Sequence, residues 1–433
     1  MSSTSLRSRR SVTTRALAAV AASSLVLAAC GNGDDDTAGD DTETDDSTQS
    51  QPAAGGAEGD LTLKVGTVLP QTGNLAFLGP PEEAGVSLAA KEINDAGLGI
   101  TVEVTYGDSG DTDNKAYATT VPQLLSAGVN VIVGAASSGV SKLFIDEVTG
   151  AGVLQISPAN TSPDFTDWDD DNLYWRTAPS DLLQGDVLGN LVAEDGNQTA
   201  SILYINDAYG TGLERAFTEV FEAAGGEVVA SESYNTGDTT FDAQISTLTA
   251  ANADTMVLIT FDEAVTIVPA LSAAGVDTGN LYFVDGNLKN YGDQLDAGIL
   301  EGSKGTLPGP ALEDDFQTRL NENWEAEGND PLEDYSYAGE SYDAVVLNAL
   351  AALAAGSAEG ADIASKMQEV SGGSGGGEKA TDVATALQIV VDGGVVDWDG
   401  PSGPITFDEK GDPTEATIGI YQYDAENMYA RLN

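Results

Sequence analysis

Histidine is absent from this 433-residue chain, cysteine occurs once, and basic residues are scarce: 17 Lys and Arg stand against 70 Asp and Glu. Without His there is no Ser-His-Asp or Cys-His nucleophilic catalysis and no His-ligated metal site. With Cys30 as the single thiol, neither a disulfide within the chain nor a Cys-X-X-Cys centre can form. The formal charge of −53 repels nucleic acid and anionic membrane surfaces. It keeps the surface soluble in concentrated salt and points to a saline or otherwise cation-rich setting. Composition leaves carboxylate-pair catalysis and hard-cation binding open. What is present is ample: 41% apolar residues can fill real cores, and the length suits two domains.

Residues 1–29 read as a targeting segment. Arg7, Arg9, Arg10 and Arg15 precede an apolar run from Ala16 to Ala29 that is too short to span a bilayer. Its end, Leu27-Ala28-Ala29-Cys30-Gly31, resembles a bacterial lipoprotein box. That resemblance implies cleavage before Cys30, a diacylated Cys30 as the mature N-terminus, and attachment to the membrane through lipid alone. An ordinary signal peptide with a stray Cys is the alternative. Cleavage removes four Arg and no acid, which leaves 13 basic against 70 acidic residues, a formal −57. Residues 30–60 are rich in Gly, Asp, Thr and Ser, include Asp34-Asp35-Asp36, and cannot bury a core. They are expected to be a disordered acidic tether kept extended by self-repulsion. Their spacing matches no ordered calcium loop.

The folded chain is expected from Leu61, and its centre of organisation is Val131–Pro163. Val131-Ile132-Val133 is a short β-branched run ending in Gly134. Small residues follow, then a helical pattern over about 140–149, then a second apolar strand, Val153–Ile156. That strand empties into Ser157-Pro158-Ala159-Asn160-Thr161-Ser162-Pro163. In open α/β sheets ligands sit at the carboxyl ends of strands. Small residues there expose backbone groups, Ser138 and Thr161 add hydroxyls, and a helix starting near Val140 favours a carboxylate. An ordinary β-α-β unit whose serines cap a helix fits the same pattern.

Strand and helix alternate on both sides. Leu63–Leu69 is a strand leading to Pro70-Gln71-Thr72-Gly73-Asn74, and a helix over 81–96 ends in Glu92-Ile93-Asn94. Strand two (101–106) and helix two (113–127) follow. A second series starts after Tyr174–Asp181. Its strands are 199–205, 227–233, 255–260 and 281–284, and its helices 213–224, 241–251 and 264–274. The strand ends place Tyr209, Phe261, Asp262 and Asp285 on one edge. Further on come a helix over 316–327, a long helix over 341–355 beginning Tyr342-Asp343-Ala344, and a closing strand over 417–423. The Gly-rich stretch 372–379 lacks Gly-Lys-Ser/Thr and reads as a flexible loop.

Five segments in order resemble the leucine/isoleucine/valine-binding protein family, the extracytoplasmic receptors of branched-chain amino-acid ABC transporters. They are the Pro-X-Thr-Gly turn, the stretch 131–163, the Arg176-Thr177 segment, Tyr342-Asp343-Ala344, and Gly403-Pro404-Ile405-Thr406-Phe407-Asp408-Glu409-Lys410-Gly411-Asp412. The resemblance covers about 61–433. It implies an α/β fold of periplasmic-binding-protein type I: two Rossmann-like lobes with parallel central sheets, joined by three crossings. Lobe 1 is expected from 61–180 plus 309–410, and lobe 2 from 181–308 plus 411–433. The second crossing is expected near 305–310.

The resemblance also implies how a ligand is held. Ser138 and backbone N–H groups near Ser138 and Thr161 would meet a carboxylate. Thr161 and the carbonyl of Asn160 would meet an ammonium, together with Asp285, where leucine-type receptors usually carry Glu. Tyr209 would line the pocket, as would Phe261 or, one position along, Asp262. Leu75–Leu78 are candidates for touching the ligand side chain. Structural readings of the same residues stay open: Asp285 before a glycine is a common turn residue, and Tyr209 can simply pack. Asp262 and Glu263 add negative charge near the cleft, so a polyamine-like, urea or amide ligand stands beside leucine, as does an aromatic acid. No metal and no cofactor is implied. The partners implied are a small-molecule ligand and ABC permease subunits, with the receptor itself a monomer. A sensor subunit of the same fold is the alternative function. A carboxylate-dependent hydrolase has no paired-acid motif to support it.

Overall fold

The computed structural model describes residues 60–433. The targeting segment, Cys30 and all but the last residue of the expected tether lie outside the described residues. The first sheet is built from β1 (Leu61–Val68), β2 (Ile100–Thr105), β3 (Val131–Gly134), β4 (Leu154–Ser157) and β5 (Tyr174–Arg176). Its order is β2-β1-β3-β4-β5, all parallel. All four residues of β3 and of β4 are buried, because helices cover both faces and such strands read as continuous apolar runs.

The helices of this half are α1 (Gly79–Ala96), α2 (Tyr117–Ala127), α3 (Ser138–Ser141) and α4 (Ile145–Gly150). Proline starts α1, and left-handed Gly97 and Gly128 end α1 and α2. The single helix expected over 140–149 is instead two short ones. The amides of Leu143 and Phe144 bond three residues back, to Val140 and Ser141, and Phe144 leaves helical geometry. That tightening ends α3 after one turn.

The second series follows. It comprises α5 (Asp181–Glu194), β6 (Thr199–Ile205), α6 (Ala208–Ala223), β7 (Glu227–Tyr234), α7 (Asp242–Ala251), β8 (Thr255–Ile259), α8 (Ala264–Ala273), β9 (Leu281–Phe283) and β10 (Lys304–Pro308). The chain then supplies α9 (Asp314–Ala326), α10 (Ala338–Ala355), α11 (Gly360–Val370), β11 (Glu378–Ala380), α12 (Val383–Val391), β12 (Val396–Gly400), β13 (Gly403–Pro404), β14 (Ile418–Tyr423) and β15 (Tyr429–Arg431). The second sheet runs β15-β14-β10-β9-β8-β6-β7. It is not wholly parallel: β14 pairs antiparallel with β10, and β15 with β14. The chain returns to this sheet from its far end, and a hairpin is the shortest way to finish the edge.

Side chains of α1 and of α9–α12 pack on one face of the first sheet in a core that includes Trp175, Trp398 and Phe407. Val121, Leu124, Val140, Phe144 and Val148 cover the other face. The second sheet has its own core, and Leu75, Leu78, Ala136, Ala159 and Tyr337 join it from the first half. The chain therefore passes between sheets three times: after β5, after β10, and between Phe407 and β14. The stretch expected as the second crossing is mostly strand β10, and the chain leaves the sheet at Gly309. Helix α6 begins five residues before the expected position, because Asp207 accepts from the Gly210 amide and caps it. Helices α11 and α12 and the small β11-β12-β13 sheet are additions the sequence did not signal.

Candidate functional site

Strand register brings the site loops together. Val68 stands beside Gly134, and Val133 beside Ile156, so the loops starting at Ala135 and Pro158 leave the first sheet side by side. Opposite them, Tyr204 pairs with Ile259 and Val257 with Tyr282, which sends the loops after β6, β8 and β9 off one edge of the second sheet.

The first-sheet wall is made of hydroxyls and backbone. Gly134 has φ +123°, and a Cβ there would sit 2.2 Å from the Val68 carbonyl oxygen, so only glycine fits. Ser137, not Ser138, caps α3 by accepting from the Val140 amide. Ser138 is buried and its Oγ accepts from the Ser162 amide at 3.3 Å. Asn160 is fully engaged inside the protein. Its Nδ2 donates to the carbonyls of Ala135 (3.0 Å) and Ala136 (2.8 Å), and its Oδ1 accepts from the Tyr174 hydroxyl (2.9 Å). Its carbonyl, expected to face an ammonium, accepts from Arg176 at 3.3 Å. Arg176, with no exposed surface, donates also to the Ser162 carbonyl and bidentately to Asp412 at 2.6 and 2.8 Å. One guanidinium thus grips the loop on both sides of Thr161. The Thr161 hydroxyl is buried without a hydrogen-bond partner, while its carbonyl accepts from the Asp181 amide at 2.7 Å.

The second-sheet wall carries charge and rings. Tyr209 lies in the first turn of α6, where Gly210 packs so tightly that a Cβ would stand 2.0 Å from the Ile205 carbonyl oxygen. Its hydroxyl donates to Asp285 Oδ1 at 2.6 Å and accepts from the Gly286 amide at 3.3 Å. Tyr337 donates to Asp285 Oδ2 at 2.7 Å. Phe261 stacks on Tyr209, with ring centroids 5.3 Å apart and planes 15° from parallel. Asp262 points elsewhere and pairs with Lys289. Leu75 and Leu78 are buried in the same cluster as Tyr209 and Phe261.

Two residues beside Asp285 went unread in the sequence. Asp181 is completely buried, and neither of its carboxylate oxygens has a partner. Burial, then the neighbouring Asp285, pushes its pKa well above the carboxylate range; the nearby Thr161 hydroxyl pulls it down without forming an aligned hydrogen bond. An acid at the first position of a helix looks like ordinary dipole compensation, so its pattern carried no special signal. Tyr337 sits at φ +60°, at the N-cap of α10, and in sequence is one tyrosine in an unpatterned Tyr335-Ser336-Tyr337 run. Burial also raises Asp285 above its usual value, while the Tyr209 and Tyr337 hydroxyls pull in the opposite direction.

The structure therefore brings Ser138, Thr161, Tyr209, Phe261 and Asp285 to facing strand ends, and turns Asn160 inward as a brace. The charge expected from Asp262 and Glu263 is already neutralised or hydrogen-bonded by protein groups. Among the described residues no group of three or more acidic or Cys side chains is arranged to hold a metal ion.

Two strand-end walls, facing each other across three crossings, define a two-lobed binding protein. The profile of the periplasmic binding protein family matches residues 62–426, and the chain belongs to that family. It is 28% identical, over 84% of its length and 90% of the relative's, to the leucine-, isoleucine-, valine-, threonine- and alanine-binding protein of Pseudomonas aeruginosa. The leucine binding protein LivK of Thermotoga maritima superposes with TM-score 0.69 at 20% identity, covering 86% of this chain and 98% of that one. The branched-chain amino acid transporter substrate binding protein LivJ of Streptococcus pneumoniae, solved with isoleucine, gives 0.67 at 23%, covering 86% and 100%.

Proposed function

We propose that this protein is the extracytoplasmic substrate-binding lipoprotein of an ABC importer. It takes up a branched-chain amino acid or a related small molecule between its lobes and delivers it to permease subunits. It works as a monomer held to the membrane through lipid on Cys30, and performs no chemistry on its cargo. Lobe 1 would comprise 61–180 plus 309–410, and lobe 2 the remainder of the folded chain.

The observation that carries the reading is the pairing of unlike walls. Thr161 offers an unpartnered hydroxyl, with Ser138 beside it, on one wall; Asp181 and Asp285 lie buried on the other. An α-amino acid brings a carboxylate and an ammonium within a few ångströms, and burying both requires such partners. Asp285, held by the Tyr209 and Tyr337 hydroxyls, supplies a carboxyl group to meet the ammonium. Tyr209 and Phe261 leave an aromatic flank for an apolar side chain. Asp181 also supports a second reading, since two carboxyls suit a ligand richer in N–H donors, such as an amide or polyamine-like compound.

Thermal unfolding of the purified protein against amino acids, amides, amines and aromatic acids separates the two. A ligand at about 100 times its dissociation constant adds about 2.7 kcal/mol, a clear midpoint rise. A rise with leucine, isoleucine or valine that disappears in Asp285→Ala supports the first reading. A rise only with amides, amines or aromatics selects the second. No rise with any of them overturns the transport reading.

A further inference from the structure

Asp262 and Glu263 lie just past the pocket ring Phe261, yet both face protein rather than a ligand. The Asp262 amide donates to the carbonyl of Asn74 at 3.2 Å, and the Asn74 side-chain amide donates to Glu263 Oε1 at 3.1 Å. Asn74 belongs to the turn after β1 and Glu263 to the loop after β8, so these bonds join opposite walls. Each end is braced from behind. The Asn74 amide donates to Asp111 at 3.3 Å, and Gly73, at φ +97°, packs against the same carboxylate. Asp108 accepts from both the amide (3.1 Å) and the hydroxyl (2.6 Å) of Thr72. On the other wall, Glu263 Oε2 accepts from the Tyr234 hydroxyl at 3.0 Å and the Phe261 amide at 3.2 Å. Beside this contact Lys289 bonds Asp262 and lies 5.4 Å from the Phe77 ring centroid, a second bridge between the walls.

We propose that Asn74 and Glu263 form a latch across the mouth of the cleft, which holds the lobes together and slows ligand escape without touching the ligand. The inference rests on the binding-protein reading above. Glu263 is the positioning residue: one carboxylate oxygen receives the opposite lobe, and the other fixes the backbone of Phe261. Pocket and closure therefore share one side chain. Because the Asn74–Glu263 bond is made of protein groups alone, its loss should act equally on every ligand the cleft accepts. A turn on the first lobe, anchored by Asp108 and Asp111, thereby sets residence time, while the walls behind it set selectivity.

Two measurements on the full chain test this, with Asn74→Ala and Glu263→Ala against the parent protein. Hydrogen exchange without ligand reads the latch itself. The segment 259–265 is expected to exchange faster in Asn74→Ala, and unchanged protection overturns the proposal. Stopped-flow dissociation with L-isoleucine as probe reads its consequence. Loss of a charge-assisted hydrogen bond is expected to speed release by roughly tenfold in both variants. In Asn74→Ala the order of preference among leucine, isoleucine and valine should stay the same. An unchanged release rate, or a reordered preference in Asn74→Ala, overturns the proposal. If the parent protein fails to bind isoleucine, the binding reading is what fails, and the exchange experiment still judges the latch.

Discussion

The two walls of the cleft are built on different principles. In the first-sheet loops the polar groups are mostly answered: Ser157, Asn160, Tyr174 and Arg176 knit the two loops to each other, and the Thr161 hydroxyl is left over there. On the second-sheet side a fully buried carboxyl, Asp181, has no hydrogen-bond partner at all, next to an Asp285 held by two phenols. The first wall is a finished template whose geometry does not depend on the ligand. The second carries a debt of unpaired polarity that a ligand cation would relieve. Affinity should therefore reside in the second wall and the orientation of the ligand in the first.

The sharpest way to break that contrast is to remove the charge. Asp285→Asn should raise the dissociation constant for any amino-acid ligand at least 100-fold in calorimetric titration, as loss of a buried ionic partner costs about 3–5 kcal/mol. A change under fivefold would move the ammonium site elsewhere. Asp181→Asn tests the unpartnered group more finely, because its two effects have opposite sign. The ligand-free protein should gain stability near neutral pH, since an amide cannot ionise in a place where burial disfavours charge. Affinity for a cationic group should drop about tenfold. A variant that loses both would make Asp181 a structural residue.

The smallest effect concerns pH. Burial raises Asp207 to about 6, Asp343 to about 7 and Glu340 to about 8. Unfolded carboxyls titrate near about 4. Between those limits the folded chain binds more protons than the unfolded one, so stability falls as pH rises. Calorimetric midpoints of the ligand-free protein should drop by several degrees from pH 5 to pH 9. Glu340→Gln should flatten the part of that decline above pH 7. A flat profile in the parent would mean these carboxyls keep ordinary values.

Much of this was legible in advance because its causes are local. Short apolar runs mark β3, β4, β6 and β8, and the ends of β4, β6 and β8 had to carry Thr161, Tyr209 and Phe261. What stayed hidden depends on partners distant in sequence. Asn160 looks like a ligand residue until Tyr174 and the carbonyls of Ala135 and Ala136 are placed around it. Asp262 and Glu263 look like free charge until Lys289, Asn74 and Tyr234 meet them. Asp181 looks like a helix-start acid until its burial is known. The break between α3 and α4 turns on how Leu143 and Phe144 bond, which apolar periodicity does not report.

The bidentate pair of Arg176 and Asp412 has a consequence for how the protein is made. The guanidinium that grips both sides of Thr161 is wholly buried, and its counter-charge lies 236 residues downstream. Strand β10 likewise waits for β14 to complete its edge. During folding the loop around Thr161 cannot settle until Asp412 is in place, so contacts of such long range delay this loop rather than the strands beside it. A chain lacking Asp412 would hold an unpaired guanidinium in its core, and the loop around Thr161 would be among the last parts of the protein to become ordered.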